Sequence, residues 1–242
     1  MTEDSQYAPP PGVLVPDAAA PTTPTAPAGF PTAPGGAALR PLGGLAATAI
    51  AATGVYAALS LVSAALSAQT VQRLKDTLAD PDNASIDITS SLLGLLSLVV
   101  SVGSFISLAL WMSRLRSNRA ALGQTPGGPP AVEWWGWFVP LANFVLPFLG
   151  MRAITRRLVG VGVLLGWWIP FCLVWLLQPV VASAQFRAID FSTGKLEHPE
   201  VLDTMPPLSW AMAALTVLSW LFLAVTIRQA TARHAQTSDT PT

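Results

Sequence analysis

Apolar residues fall along this chain in four long uncharged runs, with a fifth, interrupted apolar stretch between the second and third. The four runs cover about 42–68, 90–112, 158–177 and 208–227, and none contains Asp, Glu, Lys, Arg or His. A helix needs about 20 apolar residues to cross roughly 30 Å of hydrocarbon. Each run therefore predicts a membrane-spanning helix. The fifth stretch, 134–151, is broken by Pro140 and Pro147, with Asn143 between them.

The placement of cations orders these elements. Lys and Arg in short loops mark the cytoplasmic side. Loop 69–89 sets Arg73 and Lys75 against Asp76, Asp80, Asp82 and Asp87. Loop 178–207 sets Arg187 and Lys195 against Asp190, Glu197, Glu200 and Asp203. Both are poor in cations for their length and are expected outside. Arg114, Arg116 and Arg119 precede the fifth stretch; Arg152, Arg156 and Arg157 follow it. Arg40 lies before the first run, and Arg228 and Arg233 after the last. With four spans, nine of the thirteen cations are cytoplasmic, as are both termini. With five, the Arg152–Arg157 corner would lie outside.

The expected fold is an all-α integral membrane protein: a four-helix transmembrane bundle plus one proline-broken segment, re-entrant or interfacial, with both ends on the cytoplasmic side. Each proline removes an intrahelical hydrogen bond. Irregular backbone at membrane depth needs protein or water around it. Trp134, Trp135 and Trp137 suit the headgroup level. The alternative for 134–151 is a kinked but ordinary spanning helix.

Composition agrees. The chain is 52% hydrophobic and 11% charged, with a mean hydropathy of +0.51. Soluble domains carry about 25% charged residues. Net charge is zero, so no global field favours nucleic acid. Residues 1–39 are rich in Pro, Ala and Thr, too polar and simple to fold, and are expected to be a disordered cytoplasmic tail. Their Pro-Thr-Ala-Pro repeats fit either a solvated spacer or a docking site for a proline-reading partner. Residues 235–242 are expected to be a second disordered tail. The start, MTEDSQYAPP, lacks the basic and apolar parts of a secretory signal; the first run is expected to direct membrane entry. Asn83-Ala84-Ser85 matches a glycosylation acceptor pattern and reads as a polar turn. Cys172 is alone, and His198 and His234 sit in separate segments. No metal, cofactor or catalytic residue is expected, and the spans lack the ionisable groups that membrane enzymes and pumps place there. The chain reads as non-enzymatic.

Some small and polar residues have a packing logic. Gly94, Ser97, Ser101, Ser104 and Ser107 recur every three or four positions, on one face of the second helix. Gly162 and Gly166 form a GxxxG pattern in the next span. Such faces let helices approach closely, within the monomer or in a dimer. The sequence leaves the oligomeric state open. Asn143 needs partners at membrane depth: it either satisfies backbone freed by the prolines or lines a small polar cavity.

Trp111-Met112-Ser113-Arg114 with Asn118, then Gly136-Trp137-Phe138-Val139-Pro140-Leu141-Ala142-Asn143, then Pro147 and Met151-Arg152, resemble the DUF4328 family. These are bacterial, mainly actinobacterial, multi-pass membrane proteins of unknown function. The resemblance is expected to run from Leu42 to His234. It departs from the family pattern at Gly136, which separates two tryptophans often adjacent, and at Ala153, where an acid often follows Met-Arg. It supplies no catalytic residue. The functional expectation is a membrane scaffold or interaction protein in the bacterial plasma membrane. Its cationic inner face (Arg114, Arg116, Arg119, Arg152, Arg156 and Arg157) would meet anionic headgroups of the bilayer. Anchoring alone is the plainer reading. The rival is a channel or small-solute transporter built around Asn143 and the broken segment.

Overall fold

A computed structural model describes residues 39–79, 88–125, 127–139, 142–190, 195–196 and 198–238. Four long helices dominate: α1 (Gly43–Ala79), α2 (Ile88–Ala121), α5 (Val161–Ala188) and α7 (Met205–Ser238). Between α2 and α5 lie α3 (Val132–Trp135), a 3-10 turn (Ala142–Phe144) and α4 (Leu146–Ile154). Two-residue strands β1 (Ile189–Asp190) and β2 (Lys195–Leu196) pair antiparallel before α6 (Pro199–Leu202). Apart from that pairing the described fold is all-α. Four helical stretches are long and apolar enough to cross a membrane, as the four runs predict.

The helices outrun the apolar runs that predict them. α1 continues through Gln69 to Ala79, and α7 reaches Ser238, into the segment expected to be a disordered tail. Apolarity ends where headgroups begin, but the backbone can continue as helix. The expected tail 1–38 and the Asn83-Ala84-Ser85 turn lie outside the described residues.

The helices alternate in direction and stand in the order α2, α1, α7, α5. α1 packs against α2 and α7, and α7 against α5. Asn118 near the end of α2 holds Arg40 before α1. Trp220 of α7 donates its indole N–H to the Ile50 carbonyl of α1 at 3.1 Å. Lys75, late in α1, meets Asp203, just before α7, at 2.6 Å. Ser219 of α7 donates to the Trp167 carbonyl of α5 at 3.0 Å. Small residues allow this closeness. Ala57, Ala64 and Val71 recur every seven residues on the buried side of α1, the spacing of a helix–helix seam. The hydroxyls of Thr53, Ser60 and Ser67 bond carbonyls one turn back, which satisfies them without water.

The start of α1, the end of α2, the start of α5 and the end of α7 therefore share one end of the bundle. The described residues between α2 and α5 leave from that end and return to it. The segment 132–154 is a wedge rather than a fifth span. It fills the space between the two outer helices of the row, α2 and α5, at that end: α3 packs on α2, and α4 on both α2 and α5.

Candidate functional site

The wedge is held limb by limb. In its first limb the Glu133 carboxylate is buried, 4% exposed, and accepts from the Ser113 hydroxyl at 3.1 Å. Its other oxygen lies 3.2 Å from Arg116 Nη2. The Trp134 indole donates to the same Ser113 oxygen at 2.9 Å, and Trp135 donates to the Pro130 carbonyl at 3.0 Å. Ala131 precedes α3 with φ 54°, a left-handed residue that turns the chain into the limb. Gly136 and Gly150 let the limbs close: a Cβ on Gly136 would stand 2.6 Å from the Val132 carbonyl, and one on Gly150 2.7 Å from the Val132 side chain.

The middle of the wedge is aromatic. Trp137 donates to the Glu133 carbonyl at 3.1 Å. Its ring meets Phe105 of α2 and both Trp168 and Phe171 of α5, all edge-on. Phe138 also meets Phe105, with centroids 5.3 Å apart, while remaining largely exposed. Trp168 donates to the Phe144 carbonyl at 3.2 Å. Phe105 lies seven residues before Met112, and Trp168 seven residues into α5. At about 1.5 Å per residue, Phe105 stands about 10 Å along α2 from Met112, where its uncharged run ends, and Trp168 about 10 Å from the start of α5.

The second limb ends at an arginine corner. Pro147 sits in the first turn of α4, where its missing N–H costs nothing. Past the end of α4, Arg119 of α2, 9% exposed, donates Nη1 to the Ile154 and Arg156 carbonyls and Nε to Gln124. A cation at helix C-terminal carbonyls also suits the helix dipole. Thr155 bonds Met151, and the Arg233 side chain bonds the Leu158 carbonyl at 2.7 Å. Arg157 has φ 69°, the left-handed region, which costs a non-glycine residue about 1–2 kcal/mol. Met151, Ile154, Thr155, Leu158 and Val159 are buried, while Arg152, Arg156 and Arg157 project into the open.

The expected site residues thus have different roles. Trp111 is buried and donates to Thr231 of α7 at 3.1 Å. Asn118 is buried between helices, and Arg114 is half-buried. Of the six arginines expected to meet headgroups, Arg116 is engaged by Glu133 and Arg119 is turned inward. Pro140 lies outside the described residues. Asn143 is half-buried; its Oδ1 is shielded and has no donor among the described residues. The small-residue faces are less uniform than expected. Gly166 packs tightly, and a Cβ there would stand 2.5 Å from the Phe222 ring, whereas a Cβ on Gly94 or Gly162 would meet no neighbouring element within 4 Å. Ser104 is buried, Ser97 half-buried and Ser101 exposed. Ser104 and Ser107 bond their own helix, at Val100 and Gly103.

Sequence reasoning missed Glu133 as a functional group. The signal was present: it is the sole acid between Asp87 and Asp190. It also missed Pro170 inside α5, which removes the donor to the Gly166 carbonyl, next to the Trp167 carbonyl that Ser219 serves. Among the described residues no three His, Cys, Asp or Glu side chains gather as metal ligands.

Four alternating apolar helices with a wedge entering from one end define a multi-pass membrane protein. A family model described as a domain of unknown function, DUF4328, matches residues 75–232, and the chain belongs to that family. The match begins near the end of α1 rather than at Leu42, so most of α1, one of the two inner helices of the row, lies outside it. No curated protein and no solved structure matches the chain.

Proposed function

We propose that the protein is a non-enzymatic membrane scaffold whose arginine-rich end faces the cytoplasm and engages anionic headgroups of the bacterial plasma membrane. One observation carries this reading. Nine arginines (Arg40, Arg114, Arg116, Arg119, Arg152, Arg156, Arg157, Arg228 and Arg233) gather at one end. The sole carboxylate with them among the described residues, Glu133, is buried and already engaged by Arg116. Among the described residues the surface of that end is therefore cationic although the chain as a whole is neutral. A cation near an anionic leaflet is worth about 1 kcal/mol. Purified from a detergent mixture of phosphatidylglycerol and phosphatidylcholine, the protein is expected to retain the anionic lipid preferentially. Equal retention would sink this reading. The proline-rich tail would reach a cytoplasmic, proline-reading partner.

Asn143 favours a second reading, a channel or small-solute transporter. A shielded amide oxygen with no donor among the described residues, between two prolines, is what a hydrated substrate site would present. Solute flux in proteoliposomes that is lost in Asn143→Leu would support it. Absence of flux for any tested ion or small solute would leave the scaffold.

A further inference from the structure

We propose that the Arg152–Arg157 corner is a binding site for the phosphate of an anionic phospholipid headgroup. This rests on the scaffold reading and narrows it from a whole charged end to three side chains. The remaining expected headgroup arginines are otherwise placed: Arg116 faces Glu133, Arg119 holds the corner's own carbonyls, and Arg114 is half-buried. Arg152, Arg156 and Arg157 are exposed on a short stretch in which Met151, Ile154, Thr155, Leu158 and Val159 are buried. Arg119 and Arg233 tie that backbone down through the Ile154, Arg156 and Leu158 carbonyls. The three guanidinium groups thus stand on a fixed platform, which reduces the ordering cost of binding.

Arg157 holds the left-handed φ of 69° that glycine would adopt without strain. A cation kept where the backbone disfavours any side chain points to a use for the side chain. The corner is also at headgroup level. Val161, a few residues on, is 51% exposed and opens the apolar surface of α5. Guanidinium groups bind phosphate through paired N–H donors, and no free carboxylate competes at this end among the described residues.

The test uses the full chain in nanodiscs of phosphatidylcholine and phosphatidylglycerol, reading the ratio of the two lipids retained through mild delipidation. Arg156→Gln should lower the anionic enrichment about fivefold, the equivalent of one surface charge. The exposed Arg228→Gln control should change it less than twofold. Arg157→Gly removes a cation while relieving the backbone, so it should fold at least as well and still lose enrichment; retained enrichment in this variant overturns the site. Equal losses at Arg156 and Arg228 overturn it too, while leaving the scaffold reading intact. No enrichment in the unaltered protein removes both. Inorganic phosphate at constant ionic strength should not displace the lipid. If it does where chloride does not, the corner is a site for free phosphate and the lipid assignment fails.

Discussion

Asn118 holds both backbone polar groups of Arg40. Its Nδ2 donates to the Arg40 carbonyl at 2.7 Å, and its Oδ1 accepts the Arg40 N–H at 3.1 Å. The two backbone groups stand just before α1, where a helix start leaves amides without partners. A primary amide offers a donor and an acceptor on two neighbouring atoms, which matches a backbone carbonyl and N–H at once. Asn118→Ala is therefore expected to lower stability in detergent by about 1–2 kcal/mol, since it removes two part-buried hydrogen bonds. Asn118→Asp keeps the acceptor but turns the donor into a second acceptor facing a carbonyl, and should cost at least as much. Thermal unfolding of the two variants checks this. If both match the unaltered protein, the clasp carries no stability.

The Arg116–Glu133 pair ties α2 to the first limb of the wedge. Arg116 Nε and Nη2 and Glu133 Oε2 are shielded and lack well-aligned hydrogen bonds among the described residues, so charge holds them more than geometry does. Removing one partner of a buried pair strands the other. Glu133→Gln should cost about 2–3 kcal/mol, below the upper range because the Arg116 side chain keeps 17% exposure. The double variant Glu133→Gln with Arg116→Met should be more stable than Glu133→Gln alone. A double-mutant cycle by chemical unfolding measures the coupling. A double variant worse than either single one would show that packing, not charge, dominates the contact.

Gly166 and Gly162 look alike in sequence and should behave oppositely. Any Cβ at Gly166 would press on the Phe222 ring, 2.5 Å away, while Gly162 faces open space. Gly166→Ala should destabilise the α5–α7 contact by about 1–3 kcal/mol through overpacking. Phe222→Leu in the same chain should recover part of the loss. Gly162→Ala should be neutral or stabilising by up to about 1 kcal/mol, because alanine loses less backbone entropy in a helix. Equal effects at the two positions, read from unfolding midpoints, would contradict this packing.

Much of this arrangement is written in one-dimensional pattern. The four spans follow from runs such as 90–112, because apolar length is what a bilayer selects. The return of the wedge to its starting end follows from Arg119 and Arg152 flanking it, since cations resist crossing. The side-chain assignments are less legible. Arg119 and Arg156 are the same residue type in the same charged neighbourhood. Only the fold shows that one caps α4 from within while the other projects outward. Gly162 and Gly166 differ only in which of them meets Phe222. Glu133 was legible as a lone acid among arginines, but its burial depends on Ser113 and Arg116 approaching from α2. Tertiary contact decides such cases, and periodicity alone does not carry that information.

The direction of the wedge can be tested by labelling single cysteines in intact cells, in a Cys172→Ser background. Gln124 before the wedge and Gly160 after it are exposed, as is Thr204 at the opposite end of the bundle. Cysteines at 124 and 160 should both be reached only from the cytoplasm, and one at 204 only from outside. Thr155 would be a poor reporter, being fully buried against Met151. A full fifth span of 134–151 would put 124 and 160 on opposite faces and send the three arginines of the corner outside, against the preference that sets membrane orientation. It would also separate Arg119 from the Ile154 and Arg156 carbonyls that it holds. External labelling at 160 with cytoplasmic labelling at 124 would therefore break the topology and the arginine corner together. Access from one shared side is what the contacts of Arg119 require, and the charge pattern predicts that this side is the cytoplasmic one.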